Sequence, residues 1–319
     1  MNFDKSKTFV ISESDEGLRL DKWLAAPERL GSRSRALAAI DHGKIFLDDK
    51  EQSAADSGRR LVAGESLRIW IDRPGSSQRR YSERHASNLH ILYEDSCLLV
   101  INKPPGLLSV PLAAQPEAPS LLDMVRKHLR SKGKMEPLVV HRIDRDTSGI
   151  VLFAKSSGHQ KTLKDQFERR EIERTYLAIV HGIPSPQSGI WQDRLVWDKD
   201  ELLQKLAERN DRMAKEASCR YKVIEKYSNA SMLEVSLITG KRNQIRIQAG
   251  LHGHPIIGEK MYVYSSPPAN AIDFSRQALH AFKLKFKHPV DSRVIDIEAP
   301  LPEDLNSLIA KLKRVSIKE

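Results

Sequence analysis

The chain has 319 residues, with 52 Lys and Arg against 42 Asp and Glu, a net charge of +10 at neutral pH. That length is more than one core usually needs, so a large domain with a smaller one is expected. The 40% hydrophobic and 29% charged residues are those of an ordinary globular protein, and no apolar run approaches the roughly 20 residues of a membrane span. The N-terminal MNFDKSKTFVISESDEG has neither the apolar core nor the small-residue cleavage site of a signal peptide. Only Cys97 and Cys219 are available as thiols, too few for a zinc site built mainly on cysteine. They are expected to be reduced and buried in a cytoplasmic protein. The basic excess, with an isoelectric point near 9.5, suits a polyanionic partner, although a basic solvated surface would give the same balance.

The first 75 residues read as a separate small unit. Leu18, Leu20, Trp23 and Leu24 have helical spacing. A second helix is predicted over SRSRALAAIDHG, with Ser32 as N-cap, Leu37 and Ile40 on an apolar stripe and Gly43 as the stop. KIFLDD and ESLRIWI read as strands, the second with alternating Leu67, Ile69 and Ile71. Arg33 and Arg35 fall in the first turn of the second helix, where cations oppose the helix dipole and a bound phosphate would offset the cost. LRLDKWLA, SRSRALAAIDHGKIFLDD and AGESLRIWI together resemble an S4 RNA-binding domain. The resemblance implies that Arg33, Ser34, Arg35 and Lys44 contact an RNA backbone; the alternative for each is a plain surface charge.

PGSSQRRYSERHASN has no apolar periodicity and reads as a linker. The expected organisation is a module over 1–75, a linker over 76–88 and a second domain over 89–319. In that domain CLLVINKPPGLL is a strand stopped at Pro104-Pro105-Gly106, and SLLDMVRKHLR is a helix with Ser120 as cap and Leu121, Leu122, Val125 and Leu129 in apolar spacing. GIVLFA and TYLAIVHG are strands, with the cation-rich helix HQKTLKDQFERR between them. SCRYKVIEKY and SMLEVSLITG form a hairpin in which Leu233, Val235 and Leu237 face one way. Short strands with scattered helices predict an α+β fold with a mostly antiparallel central sheet.

The chemistry gathers in HRIDRDTSGIVLFAK, residues 141–155, where His141, Arg142, Asp144, Arg145, Asp146 and Lys155 surround an apolar strand. Asp144 and Asp146 could hold a divalent cation. Arg142 and Arg145 would compete with it, and no further acidic cluster completes a metal shell. There is no phosphate-binding Gly-rich loop and no fixed Ser-His-Asp constellation. A carboxylate held ionised by arginine suits nucleophilic or general-base chemistry on a nucleotide, while a turn with ion-paired Asp residues would look the same. His141 reads as a hydrogen-bonding residue of the loop, and Thr147 and Ser148 as turn residues before Gly149. His252 and His254 flank a Gly-Pro turn with nothing nearby to complete a metal site.

HRIDRDTSGIVLFAK resembles the signature of the RluA-type pseudouridine synthases, a His-Arg-hydrophobic-Asp core before a Thr-Ser-Gly turn and an apolar strand. YEDSCLLVINKPPGLLSVP, FERREIERTYLAIVHG, LITGKRNQIRIQAGLHGHPIIGEKMY and RQALHAFKLKFKHP with IEAPLPEDL resemble further segments of that family, in order over 89–305. The resemblance implies isomerisation of uridine to pseudouridine. The base leaves its ribose at N1, turns and rejoins through C5, without metal or organic cofactor. Asp144 matches the catalytic aspartate, as nucleophile or as base. Tyr176 matches the active-site tyrosine that stacks on the base, and Arg246 the basic residue paired with the aspartate. Arg142 is expected to fill the space of the flipped-out nucleotide or to hold a phosphate. The implied partner is RNA, ribosomal or, as the alternative, transfer RNA, with no membrane and no small-molecule cofactor; the chain is expected to act as a monomer.

The third segment departs from the family's Thr-Gly-Arg-x-His-Gln: Lys241 stands where Arg is usual and Asn243 where His is usual. Lys241 loses a bidentate fork and Asn243 a titratable ring. Two rival readings follow, a non-catalytic RNA-binding protein on the same fold and a metal-dependent RNA-processing enzyme using Asp144 and Asp146.

Overall fold

The computed structural model describes residues 6–52, 54–70, 89–111, 118–131, 135–198, 203–264 and 272–316. The chain divides between Asn88 and Leu89 into two compact units. The expected linker over 76–88 lies outside the described residues, as does Ile71.

The N-terminal unit runs β1 (Ser6–Val10), α1 (Leu20–Leu24), α2 (Arg33–Asp41), β2 (Ile45–Leu47), β3 (Lys50–Glu51) and β4 (Ser66–Trp70). The strands form an antiparallel sheet in the order β1-β4-β2-β3. Leu20, Trp23 and Leu24 of α1 pack with Ala36, Ala39 and Ile40 of α2 against Ile45, Leu47, Leu67 and Ile69. Ser32 caps α2 by accepting from the Arg35 amide at 3.2 Å, and Gly43 leaves the helix at φ +63°. The buried stripe of α2 differs from the expected one: Leu37 is 39% exposed, and Ala36 and Ala39 take the inward positions beside Ile40. Small side chains there let the helix approach α1 closely.

The C-terminal unit begins with β5 (Ile91–Glu94), β6 (Leu98–Lys103), α3 (Leu121–Ser131), β7 (Leu138–Val139), β8 (Ser148–Ala154), α4 (Ser157–Glu168) and β9 (Glu173–His181). It continues with β10 (Ser188–Asp198), β11 (Leu203–Leu206), β12 (Lys215–Lys226), β13 (Ala230–Leu237), α5 (Gln244–Leu251), β14 (Leu279–Lys287), β15 (Val294–Glu298) and α6 (Glu303–Ser316). Its eleven strands form one sheet with the path β11-β10-β12-β13-β9-β14-β8-β6-β5; β15 adds to β14 and β7 to β8. Every pairing is antiparallel except β8 with β14. The architecture is therefore α+β with a mostly antiparallel central sheet, as expected. Strand β8 is buried along its whole length, which explains its unbroken apolar run. Ser120 caps α3 by accepting from the Asp123 amide, and Leu121, Val125 and Leu129 are buried while Leu122 is half-buried.

The parallel contact of β8 with β14 positions the site. It pairs His280 with Ser148 and Ala281 with Gly149. Gly149 has φ +112°, and a Cβ there would collide with the Ala281 carbonyl oxygen. Glycine lets the chain turn out of the 140–147 loop and dock against β14 at once. His280 lies beneath this junction, bonded to Ser148 Oγ at 2.9 Å and to the Ala299 carbonyl at 3.1 Å.

Candidate active site

The loop carrying Asp144 is fastened from below. The fully buried Lys103 ammonium donates to the carbonyls of Pro104, Leu107 and Arg145 at 2.8–2.9 Å. Burial pushes its pKa down to about 7, and three acceptors match its three protons. The Gly106 amide also donates to the Arg145 carbonyl, so the Pro-Pro-Gly turn and the loop are tied at one atom. Ser109 Oγ donates to the Ile143 carbonyl at 2.7 Å and accepts from the Ile143 amide at 3.2 Å. The buried guanidinium of Arg276 donates to the Asp146 carbonyl and pairs with Asp304 at 2.7 Å. These bonds fix the backbone on both sides of Asp144, whose own carbonyl accepts from the Thr147 amide.

Within the loop the charges sort differently from the sequence expectation. Arg145 pairs with Asp146 at 2.9 Å, and Arg142 is exposed with no ion pair among the described residues. Neither arginine holds Asp144. His141 Nε2 accepts from the Leu152 amide at 3.1 Å, which fixes it as the neutral ring. Burial, with Arg174 nearby, pushes its pKa down to about 3. Asp146 thus belongs to a turn ion pair. Among the described residues the only group of three potential metal ligands is Asp95, Cys97 and His288, none of which lines the pocket at Asp144. Cys97 and Cys219 are both free and buried. His252 sits 3.2 Å from Asp193, and His254 bonds the His181 carbonyl.

The cation that reaches Asp144 comes from α5. Arg246 Nη1 lies 3.4 Å from Asp144 Oδ2, an ion pair at the long limit of a hydrogen bond. Its closer partner is Glu259: Nε to Oε2 at 2.6 Å and Nη2 to Oε1 at 2.9 Å, a bidentate fork. Glu259 is 1% exposed and Arg246 13%. Burial would lower the Arg246 pKa, but Glu259 outweighs it and holds the guanidinium above its ordinary value. Burial would likewise raise Glu259, and Arg246 with the Met261 and Tyr262 amides holds it below. Nη1 also donates to Asn243 Oδ1 at 3.0 Å, and Asn243 Nδ2 donates to Tyr262 Oη at 2.9 Å. Asn243 adopts φ +55° at the start of α5, a left-handed conformation that Asn tolerates well. Buried Gln244 braces the turn below it, accepting from Thr239 Oγ1 and the Lys241 amide. Every Arg246 nitrogen is therefore engaged, and only Nη1 faces Asp144.

Asp144, Gln244 and Arg246 line a cavity of about 380 Å³ together with Arg142, Tyr176, Leu237, Leu279 and the turn from Gly240 to Asn243. Burial raises the Tyr176 pKa, so its phenol stays protonated at neutral pH. Lys241 at the mouth has no ion pair among the described residues, and Arg242 lies over the Trp197 ring at 4.6 Å. Asp144, Tyr176, Arg246 and Arg142 thus meet at one pocket. The pocket needs Glu259 as well, which the sequence reading missed; the signal, an acidic residue after the buried HPIIG segment, shows its partner only in the fold.

The four residues singled out in the N-terminal unit have unequal surroundings. Arg33 donates twice to Asp21 Oδ2, at 2.7 and 3.0 Å, beside Arg19. Ser34 Oγ lies 3.1 Å from Ser32 Oγ. Arg35 is exposed and Lys44 half-buried, and neither makes an ion pair among the described residues.

Known proteins resemble this chain over nearly its whole length. The family model for RNA pseudouridylate synthase matches residues 97–250. An uncharacterized RNA pseudouridine synthase of Bacillus subtilis (strain 168), YlyB, is 31% identical over 309 residues, covering 96% of this chain and 97% of its own. The ribosomal large subunit pseudouridine synthase D of Zymomonas mobilis is 32% identical over 312 residues, covering 95% and 96%. The human RNA pseudouridylate synthase domain containing 4 structure aligns with a TM-score of 0.59 at 21% identity, over 72% of this chain and 96% of that one, and bears on the fold alone. The chain belongs to the RNA pseudouridine synthase family, of the RluA type.

Proposed function

We propose that this synthase converts uridine to pseudouridine in large-subunit ribosomal RNA, with Asp144 as the reacting carboxylate. The observation that carries the residue assignment is the pocket itself: a loop carboxylate held on a fixed backbone, facing one arginine nitrogen and a protonated tyrosine in a cavity of about 380 Å³. The base enters flipped out of its stack. Its N1–C1′ bond breaks, the ring turns, C5 bonds to C1′, and the proton lost from C5 is balanced by one gained at N1. Asp144 serves this exchange as nucleophile or base. Tyr176 offers its ring face to the base, and Arg246 limits the motion of the Asp144 carboxylate. No step requires a metal or an organic cofactor.

The ribosomal target is supported by the name of the Zymomonas mobilis relative. Residues 1–75 act as an S4-like RNA-binding module joined by the 76–88 segment to the catalytic domain over 89–319. Arg35 and Lys44 make no ion pair among the described residues, Arg33 is shared with Asp21, and Ser34 offers a hydroxyl; Arg142 contacts RNA at the catalytic pocket. A ribosomal target and two free thiols fit work in the cytoplasm as a monomer. None of the described helices is long and apolar enough to cross a membrane. The test is pseudouridine mapping of total RNA from a strain lacking the gene, before and after incubation with purified protein in excess EDTA. New pseudouridines confined to large-subunit ribosomal RNA are expected. Modification of transfer RNA alone refutes the target, and activity abolished by EDTA refutes the metal-free reading.

A further inference from the structure

Among the described residues Arg174 is a cation without a counterion, in a place where that is costly. It stands on β9, two residues before Tyr176 and so on the same face of the strand. Its guanidinium lies 5.5 Å from the Phe167 ring. A Cβ at Gly240 would come within 2.5 Å of its Nη1, so it fits beneath the turn that forms the pocket wall. Its Nε is buried with no hydrogen-bond partner. Among the described residues, no carboxylate lies within ion-pair distance of it. The neighbouring ionisable groups are Tyr176, which stays protonated, and His141, which stays neutral. An exposed cation such as Arg142 needs no partner, because water screens it. A half-buried guanidinium has lost much of that hydration, and among the described residues the Phe167 ring face is all it receives in return.

We infer that Arg174 binds an RNA backbone phosphate, the one flanking the nucleotide whose base enters the pocket. The chemistry is that of a planar fork of N–H donors meeting a phosphate, for which a guanidinium is better suited than an ammonium. Arg174 lies between the Asp144 loop, through His141, and the turn at Gly240, so an anion there spans both walls of the pocket. Arg142 and Lys241 continue the positive path at the mouth. The cost of leaving the cation unpaired in the free protein becomes affinity when the phosphate arrives. This inference rests on RNA as the substrate proposed above.

The test compares wild type with Arg174→Met, which keeps side-chain volume and removes the charge. The probe is an unmodified transcript of large-subunit ribosomal RNA, with binding measured as a function of KCl. The expected result is about tenfold weaker binding. The slope of log affinity against log salt should be shallower by about 0.7–0.9, one phosphate contact. Thermal stability should be unchanged or higher, since an uncompensated charge is gone. Arg174→Lys should recover part of the salt slope. Gly240→Ala, which has no positive φ to strain and displaces only the far end of Arg174, should repeat the loss. A salt slope equal to wild type in Arg174→Met and Gly240→Ala, with a lower melting temperature, overturns the inference in favour of a structural cation. Inorganic phosphate that protects wild type from heat, with the RNA salt slope unaltered by the substitutions, overturns it in favour of a free-anion site. Pseudouridine formation on the same transcript is scored separately. Its absence with wild type counts against the proposed target, while the salt slope still decides Arg174.

Discussion

Asp21 in the N-terminal unit and Asp144 in the C-terminal unit each face an arginine, and they are held in opposite ways. Asp21 of the N-terminal unit is 2% exposed and receives Arg19 and Arg33 at 2.7–3.1 Å on both oxygens. The Arg19 hydrogen bond leads in holding its pKa at about 2, against burial, with Arg33 adding to it. Asp144 is 27% exposed and has a single arginine contact at 3.4 Å, from a guanidinium whose best geometry is given to Glu259. A carboxylate that only holds structure is saturated with donors. The carboxylate proposed to react is kept in place by its backbone, while its oxygens stay open to the pocket. The difference lies in the arginines: both of those at Asp21 give it close hydrogen bonds, and the one at Asp144 is restrained by a third charge.

The most disruptive way to break this comparison is to remove that third charge. Glu259→Gln leaves a hydrogen-bonding side chain but releases the guanidinium from its fork. Turnover should fall about 100-fold through misplacement of Arg246 against Asp144, with KM for RNA changing far less, and Glu259→Asp should regain part of the loss. Steady-state kinetics on a single RNA substrate reads both. An equal rise in KM with turnover intact would assign Glu259 to binding instead. Asp21→Asn should do the reverse. It should cost about 2 kcal/mol, as expected for charge-assisted bonds to a buried carboxylate, read by urea unfolding of the full chain, while turnover at saturating RNA stays at the wild-type level.

Acid sharpens the contrast with a smaller effect. The Asp21 pKa is lower in the folded chain than in the unfolded one, so its contribution is complete above about pH 4 and is lost as pH falls through about 2. His141, held neutral in the fold, gives stability that is complete above its ordinary value of 6.5 and is lost as pH falls toward about 3. Unfolding measured between pH 7 and pH 3 should therefore decline first through His141. Asp21→Asn should flatten only the most acidic part of the curve, and a flattening near pH 6 would contradict the assignment.

Local chemistry made part of this legible from sequence. The Ser32 cap, the fully apolar run of β8 and the β12–β13 hairpin each depend on neighbours in the chain, and each occurs as the pattern predicts. Leu37 was misplaced because two alanines, weak as hydrophobic signals, take the buried face of α2. The partners of charges were not legible. Arg145 turns to Asp146 and away from Asp144, and Glu259 joins Arg246 across a turn whose path no periodicity reveals. Arg174 could have been noticed by parity, since it shares a strand face with Tyr176, but its lack of a counterion is a tertiary fact. The match of HRIDRDTSGIVLFAK to a known family pointed to Asp144 where residue chemistry had argued against a metal site but left catalysis and a turn ion pair open.

The most direct measurement sets Asp144→Asn beside Asp146→Asn, scoring pseudouridine in RNA from a strain lacking the gene. The two carboxylates are two residues apart, but one faces the pocket and the other is paired with Arg145. Asp144→Asn should lose at least about 1000-fold in rate with little change in stability, and Asp146→Asn should keep most of the activity. Wild-type turnover in Asp144→Asn, or its loss in Asp146→Asn alone, would contradict the assignment of the reaction to Asp144.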